Sequence, residues 1–135
     1  MKRSELREHI FKTVFGIDFC QPEEMPEQIG FYLGQLENPR EQDLDYIRGK
    51  AQKVAGKREE IDALLNANTT GWKTSRMNKV DLTILRLAVY EMKWDEDVPV
   101  GVAIDEAVEL AKKYSSDEGP AFVNAVLAKI PKIGL

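Results

Sequence analysis

The chain has 135 residues, enough for one domain that buries a core of its own. Apolar residues make up 43% and charged residues 31%, a balance typical of folded proteins and not of disordered ones. No apolar run approaches the ~18–20 residues that cross a bilayer, and the single cysteine, Cys20, cannot form an internal disulfide. The sequence therefore predicts a cytoplasmic protein without a membrane span.

Helical periodicity marks the first half of the chain. Ser4 is a plausible N-cap for a first helix that continues to about Phe19. Two prolines and two acids at residues 21–26 break that pattern, and a short second helix follows. Asn38 and the proline after it open a third helical segment, which Gly56 can kink or split.

A run at residues 80–92 is apolar on nearly every side of a helix, so it predicts the central element of a helical domain. Asp81, Arg86 and Glu91 interrupt this run. A buried charge needs a partner, which favours a bridge between Arg86 and a carboxylate on another helix. Two alternatives stay open for Asp81. It has such a structural role, or it lies on an exposed edge that contacts a partner protein.

Two further helices are predicted, with Pro99 in the first turn of one and Pro120 early in the other, because proline suits the first turn of a helix. No segment shows the period of two that is typical of strands. The fold class is therefore all-α, a compact bundle of about seven helices that can divide into two small sub-bundles. Residues 1–135 are interpreted as one domain.

Basic residues are concentrated in two segments, whereas residues 18–45 hold eight acids and one base. A polyanion would meet the two basic segments, and they would form a groove for a phosphate backbone if they face each other. The alternative is that both are ordinary solvated surfaces. The basic residues are Lys2, Arg3, Arg7 and Lys12 in the first segment and Lys73, Arg76 and Lys79 in the second.

Phe122 lies at the predicted start of the last helix, where an aromatic ring can stack on an unpaired base or pack in the core. Catalytic patterns are missing from the sequence. His9 has no second histidine or cysteine at metal-ligand spacing, and Cys20 has no evident base partner. No glycine-rich phosphate loop occurs. The sequence predicts no enzymatic activity, no metal and no cofactor.

Three ordered segments closely resemble the bacterial transcription antitermination factor family NusB, and the resemblance covers essentially the whole chain. Gly71 and Trp72 also fit the pattern of that family. The three segments are VDLTILRLAVYE at 80–91, DVPVGVAIDEAVELAKKY at 97–114 and FVNAVLAKI at 122–130.

This resemblance implies an all-helical NusB-like fold of two small bundles that binds the single-stranded boxA element of ribosomal-RNA leaders. It implies a heterodimer with NusE, a small-subunit ribosomal protein, which joins the RNA polymerase antitermination complex and reduces premature termination. It implies neither catalysis nor a cofactor, and it allows a homodimer that hides the RNA surface.

The resemblance also assigns site residues. The family's arginine-rich first helix corresponds to Lys2, Arg3 and Arg7, and its RNA-contacting loop and last helix correspond to Glu118 and Phe122. Lys73 and Arg76 join this RNA-binding set on their charge. The family's protein-partner surface includes the position of Asp81.

The chain departs from the family pattern at two positions, which reduces the expected phosphate contacts. Arg3 is followed by Ser4-Glu5 where relatives continue with arginines, and Ala121 stands where a basic residue can occur. Two alternatives to an RNA-binding factor therefore stay open. One is a protein-only interaction module with a degraded RNA surface. The other is the accessory domain of a ribosomal-RNA methyltransferase, against which stands the lack of a methyl-donor glycine motif.

Overall fold

The computed structural model describes residues 1–131, and within that range it contains seven α-helices and no strand. The all-α prediction is confirmed. The chain divides into two compact units, Met1–Ala55 and a second that begins at Gly56. The helices are α1 (Arg3–Ile17), α2 (Met25–Leu33), α3 (Glu41–Gly56), α4 (Arg58–Asn68), α5 (Lys79–Trp94), α6 (Val100–Tyr114) and α7 (Gly119–Lys129).

The first unit pairs α1 with α2. Helix α1 begins at Arg3 because the backbone of Lys2 is still extended, so Ser4 lies inside the first turn and is not the N-cap. The helix ends at Ile17, two residues before the predicted end at Phe19. A 2.7 Å hydrogen bond joins His9 Nδ1 on α1 to the Tyr32 hydroxyl on α2.

The core of the first unit follows the apolar periodicity of its helices. Gly56 ends α3, and α4 begins two residues later, so the split predicted at this glycine is confirmed. The buried apolar side chains are Ile10, Phe11, Val14 and Ile17 on α1, Ile29 and Leu33 on α2, and Ile47, Ala51 and Val54 on α3.

The second unit is organised around α5. Every residue from Asp81 to Met92 is buried, and α5 packs against α4, α6 and α7. The prediction that this run forms the central element is confirmed for the second unit. Asn78 caps the helix, because its Oδ1 accepts a hydrogen bond from the Asp81 N–H at 2.8 Å.

The charged residue in the middle of α5 is paired as the sequence predicted. Arg86 is 6% exposed. Its Nε lies 2.9 Å from Asp62 Oδ1 and its Nη2 lies 2.8 Å from Asp62 Oδ2. Arg86 therefore forms a bidentate ion pair with Asp62 on α4. This geometry satisfies a buried guanidinium and fixes α4 against α5.

Candidate nucleic-acid interface

Side-chain hydrogen bonds hold the connection between α4 and α5 in place. The Asn66 Oδ1 accepts a 2.8 Å hydrogen bond from the Thr74 N–H. The Thr69 hydroxyl lies 2.8 Å from the Leu65 carbonyl oxygen and also contacts the carbonyl oxygen of Trp72. Gly71 between them has φ of 78°, a left-handed conformation that side chains disfavour. The connection is therefore an ordered turn that fixes the backbone of Trp72.

An aromatic pair stands on the surface of the second unit. The ring centroids of Trp72 and Phe122 are 5.5 Å apart with planes at 66°, an edge-to-face arrangement. Trp72 is 51% exposed, and Phe122 is half-buried. Phe122 is therefore not fully packed in the core, since it packs against Trp72 while part of it faces solvent, and its stacking on an unpaired base stays a prediction.

Trp72 is not among the site residues predicted from the sequence. Its only signal was local, a tryptophan that directly follows a turn glycine in a polar stretch. Aromatic side chains that contact solvent in such turns are candidates for recognition, because burial does not account for them. Its pairing with Phe122 joins residues 50 positions apart, which no local pattern reveals.

The basic segment after Trp72 is exposed, but it is not one helical stripe. Lys73 precedes the single 3₁₀ turn Thr74–Arg76, and Lys79 is the first residue of α5. Lys73, Arg76 and Lys79 do not share one helix face, because Asn78 caps α5 and the backbone at Met77 is extended. Lys73 Nζ donates to the Asn66 carbonyl oxygen at 3.3 Å, which holds this ammonium beside the turn.

The start of α7 carries the other predicted contacts of the second unit. Glu118 is exposed and occupies the N-cap position, and its carbonyl oxygen accepts the Phe122 N–H at 3.1 Å. Ala121 is exposed between them. The structure therefore brings Trp72 and Phe122 together, with Lys73 next to the first and Glu118 one turn before the second.

The predicted basic residues of the first unit differ in exposure. Lys2 and Arg3 are exposed at the start of α1. Arg7, one turn later, is only 7% exposed. The guanidinium of Arg7 therefore offers little surface to a phosphate, and the accessible positive charge of this end lies at Lys2 and Arg3.

Asp81, the predicted partner-contact residue, is 4% exposed. Its Oδ1 accepts a 2.6 Å hydrogen bond from the Ser115 hydroxyl, and its Oδ2 accepts one from Asn78 Nδ2 at 2.9 Å. The carboxylate thus has internal partners on both oxygens, and its contact with another protein stays a prediction.

Two titratable groups of the first unit are shifted. Burial, with Lys12 nearby, lowers the pKa of His9 below 6.5 against the opposing effect of Glu8 and Glu5. Burial and then Glu8 raise the pKa of Tyr32 above 10.0. Across residues 1–131, no group of three or more His, Cys, Asp or Glu side chains is placed to hold a metal ion. None of the helices in this range is long and apolar enough to span a membrane.

Comparison with known proteins gives consistent results. A sequence profile described as the NusB family matches residues 4–132. The transcription antitermination protein NusB of Agathobacter rectalis is 50% identical over 129 residues, which cover 96% of this chain and 98% of that protein. The solved structure of T. maritima NusB has a TM-score of 0.84 at 28% identity and covers 98% of this chain and 92% of its own. In a solved complex of the antitermination factors NusB and NusE with double-stranded RNA, a chain matches with a TM-score of 0.75 at 24% identity, covering 93% of this chain and 92% of that one, which shows the shared fold alone.

Proposed function

This chain belongs to the NusB family, and on that premise we propose that it binds single-stranded boxA RNA of ribosomal-RNA leaders together with the ribosomal protein NusE. The pair would join the transcribing RNA polymerase in the cytoplasm and reduce premature termination. Proteins of this family are transcription antitermination factors, and this chain is not an enzyme.

The observation that carries the proposal is the aromatic pair of Trp72 and Phe122. A single-stranded base has an unpaired face that stacks on exposed aromatic rings, at about 1–3 kcal/mol per base. An ordered turn fixes the backbone of Trp72 and its ring packs against Phe122, so little conformational freedom is lost when a base stacks on it. A duplex keeps its bases stacked on each other, and the pair therefore supports a single-stranded ligand.

Charged groups around the pair supply the other contacts. Lys73 and Arg76 are exposed on the turn that carries Trp72, where they can pair with phosphates. Glu118 at the start of α7 has a carboxylate that can accept hydrogen bonds from a base amino group or a ribose 2′-hydroxyl. In the first unit, Lys2 and Arg3 are the exposed cations assigned to RNA.

The charge distribution supports weak binding by the protein alone. Arg7 is nearly buried, Ser4-Glu5 replaces a further basic run, and Ala121 adds no cation. Each missing phosphate contact lowers the affinity and reduces the salt slope by about 0.7 for a single strand. We therefore propose that NusE raises the affinity of the complex to a useful level.

The first experiment measures binding of boxA RNA to the protein with and without NusE across a salt series. We expect tighter binding in the presence of NusE at every salt concentration. Equal affinity in both cases would contradict the cooperative part of the proposal. NusE binding without any RNA binding would instead support the protein-only alternative.

The second experiment locates the site on the protein. Phe122→Ala and Trp72→Ala should each weaken RNA binding about fivefold to a hundredfold with little change in salt slope, because stacking is lost and phosphate contacts are kept. Lys73→Ala should reduce the slope by about 0.7, whereas the exposed Lys53→Ala on α3 is the matched control and should change neither quantity.

Arg7→Ala tests the first unit in the same assay. Its near-complete burial predicts a larger effect on stability than on the salt slope. Unchanged binding in the Phe122, Trp72 and Arg7 variants together would place the RNA site elsewhere on the protein.

A further inference from the structure

Three helix ends of the second unit converge on one carboxylate. Asp81 in the first turn of α5 accepts the Ser115 hydroxyl at 2.6 Å, and Ser115 is the residue directly after α6. Asn78 binds the other carboxylate oxygen at 2.9 Å. Because Asp81 is 4% exposed, water competes little for these hydrogen bonds. The carboxylate therefore ties the start of α5 to the end of α6.

The first residue of α7 packs directly on this hydrogen bond. A Cβ added to Gly119 would lie 2.0 Å from Ser115 Oγ, 2.5 Å from Ser115 Cβ and 3.3 Å from Asp81 Oδ1. Only a glycine allows this approach, because the serine side chain is too short to move aside without breaking its hydrogen bond. The Gly119 N–H also donates to the Ser116 carbonyl oxygen at 2.9 Å, which closes the turn between α6 and α7.

This convergence fixes the part of α7 that carries the candidate RNA contacts. Glu118 immediately precedes Gly119, and Phe122 follows within the first turn of the helix. Any shift of Gly119 therefore moves Glu118 and also changes the position of the Phe122 ring against Trp72.

We propose that Ser115, Asp81 and Gly119 form a positioning lock that sets how the first turn of α7 presents Glu118 and Phe122 to RNA. Ser115 and Asp81 are positioning residues in this proposal, since they act through Gly119 and do not touch the ligand. The effect on RNA rests on the proposed function, whereas the effect on the geometry of the turn does not.

The test compares Ser115→Ala with Ser116→Ala in the full chain. Both variants remove one serine hydroxyl from the same turn, but only Ser115 donates to the buried carboxylate. Ser115→Ala should weaken boxA RNA binding about threefold to tenfold, and Ser116→Ala should stay close to wild type. Thermal unfolding of each variant, followed by circular dichroism, ensures that the folded protein is compared.

A double-mutant cycle separates positioning from a general loss of stability. If Ser115 acts through Phe122, Ser115→Ala should have little further effect in the Phe122→Ala background. An equal loss of affinity in both backgrounds would overturn the proposal. So would the same RNA affinity for Ser115→Ala and Ser116→Ala.

NMR spectra test whether Ser115 positions the start of α7 even if the wild-type protein does not bind RNA. Backbone amide signals of residues 118–122 and the Trp72 indole N–H signal should shift in Ser115→Ala, and not in Ser116→Ala, in ¹H–¹⁵N correlation spectra without RNA. Absence of RNA binding by wild type would refute the proposed function alone. Unchanged signals of the turn in Ser115→Ala would refute the lock alone.

Discussion

Helices α1 and α5 each bury an arginine, but they differ in how much of the helix around that arginine is buried. Helix α5 is buried along its whole central length, and Arg86 is held by both oxygens of Asp62 on α4. Helix α1 is amphipathic, with Lys2 and Arg3 exposed at its start and Arg7 buried one turn later. The Arg86 charge within α5 therefore serves its packing, and the residues of the second unit that are proposed to contact RNA lie in the turn before α5 and at the start of α7. In the first unit the exposed cations assigned to RNA lie at the start of α1.

The largest expected effect on stability comes from breaking the pairing of Asp62 with Arg86 in the second unit. Asp62→Ala removes the carboxylate that accepts two hydrogen bonds from the buried Arg86 guanidinium and should lower the free energy of unfolding by about 3 kcal/mol. The measurement is urea unfolding followed by circular dichroism.

Glu60→Ala on the same helix is the matched control. Glu60 forms a 3.4 Å ion pair with Lys57 on the surface, and such pairs contribute about 0.2–1 kcal/mol. Similar losses for Asp62→Ala and Glu60→Ala would show that Arg86 does not depend on its pairing with α4.

The difference between α1 and α5 also shows what the sequence can predict. The central position of α5 followed from its lack of a polar face, and the pairing of Arg86 with a carboxylate followed from the cost of a buried charge. The identity of Asp62 as the partner did not follow, because several acids lie on neighbouring segments and only the packing of α4 selects one of them.

The candidate RNA site was predictable only in part, for the same reason. Phe122, Lys73 and Arg76 could be chosen from local residue type, since an aromatic at a helix start and basic residues in a polar turn are local signals. The pair of Trp72 with Phe122 and the hydrogen bond of Ser115 to Asp81 depend on the way α5, α6 and α7 pack. The burial of Arg7 and Asp81 depends on packing in the same way.

The second prediction contrasts a glycine in each unit. Gly71 in the second unit has φ of 78°, so Gly71→Ala should destabilise the protein by about 1–2 kcal/mol. Gly49 lies within α3 of the first unit with open space around its Cβ position, so Gly49→Ala should stabilise the protein by about 0.5–1 kcal/mol.

The measurement for both glycine variants is the midpoint of urea unfolding with the slope held in common. Shifts of opposite sign would confirm that the turn before Trp72 needs a left-handed residue, whereas a neutral Gly71→Ala would mean that this turn can relax without cost.

The smallest expected effect concerns the pH dependence of the first unit. The folded-state pKa of His9 is lowered, chiefly by burial, so between that pKa and about 6.5 the unfolded chain binds more protons than the folded one. The stabilising contribution of neutral His9 is therefore fully present above pH 6.5 and is lost as the pH falls below that value. His9 is partly exposed, which keeps the effect small.

His9→Gln should remove this pH dependence while all other titrating groups keep theirs. Urea unfolding of wild type and His9→Gln from pH 5 to 7.5 should show a difference in stability that is constant near pH 7.5 and changes in favour of the variant on acidification. Tyr32→Phe is the matched control, because it removes the 2.7 Å hydrogen bond to His9 Nδ1 but keeps the ring that contacts it. Parallel curves for wild type and His9→Gln would mean that burial does not lower the pKa of His9 in the folded protein.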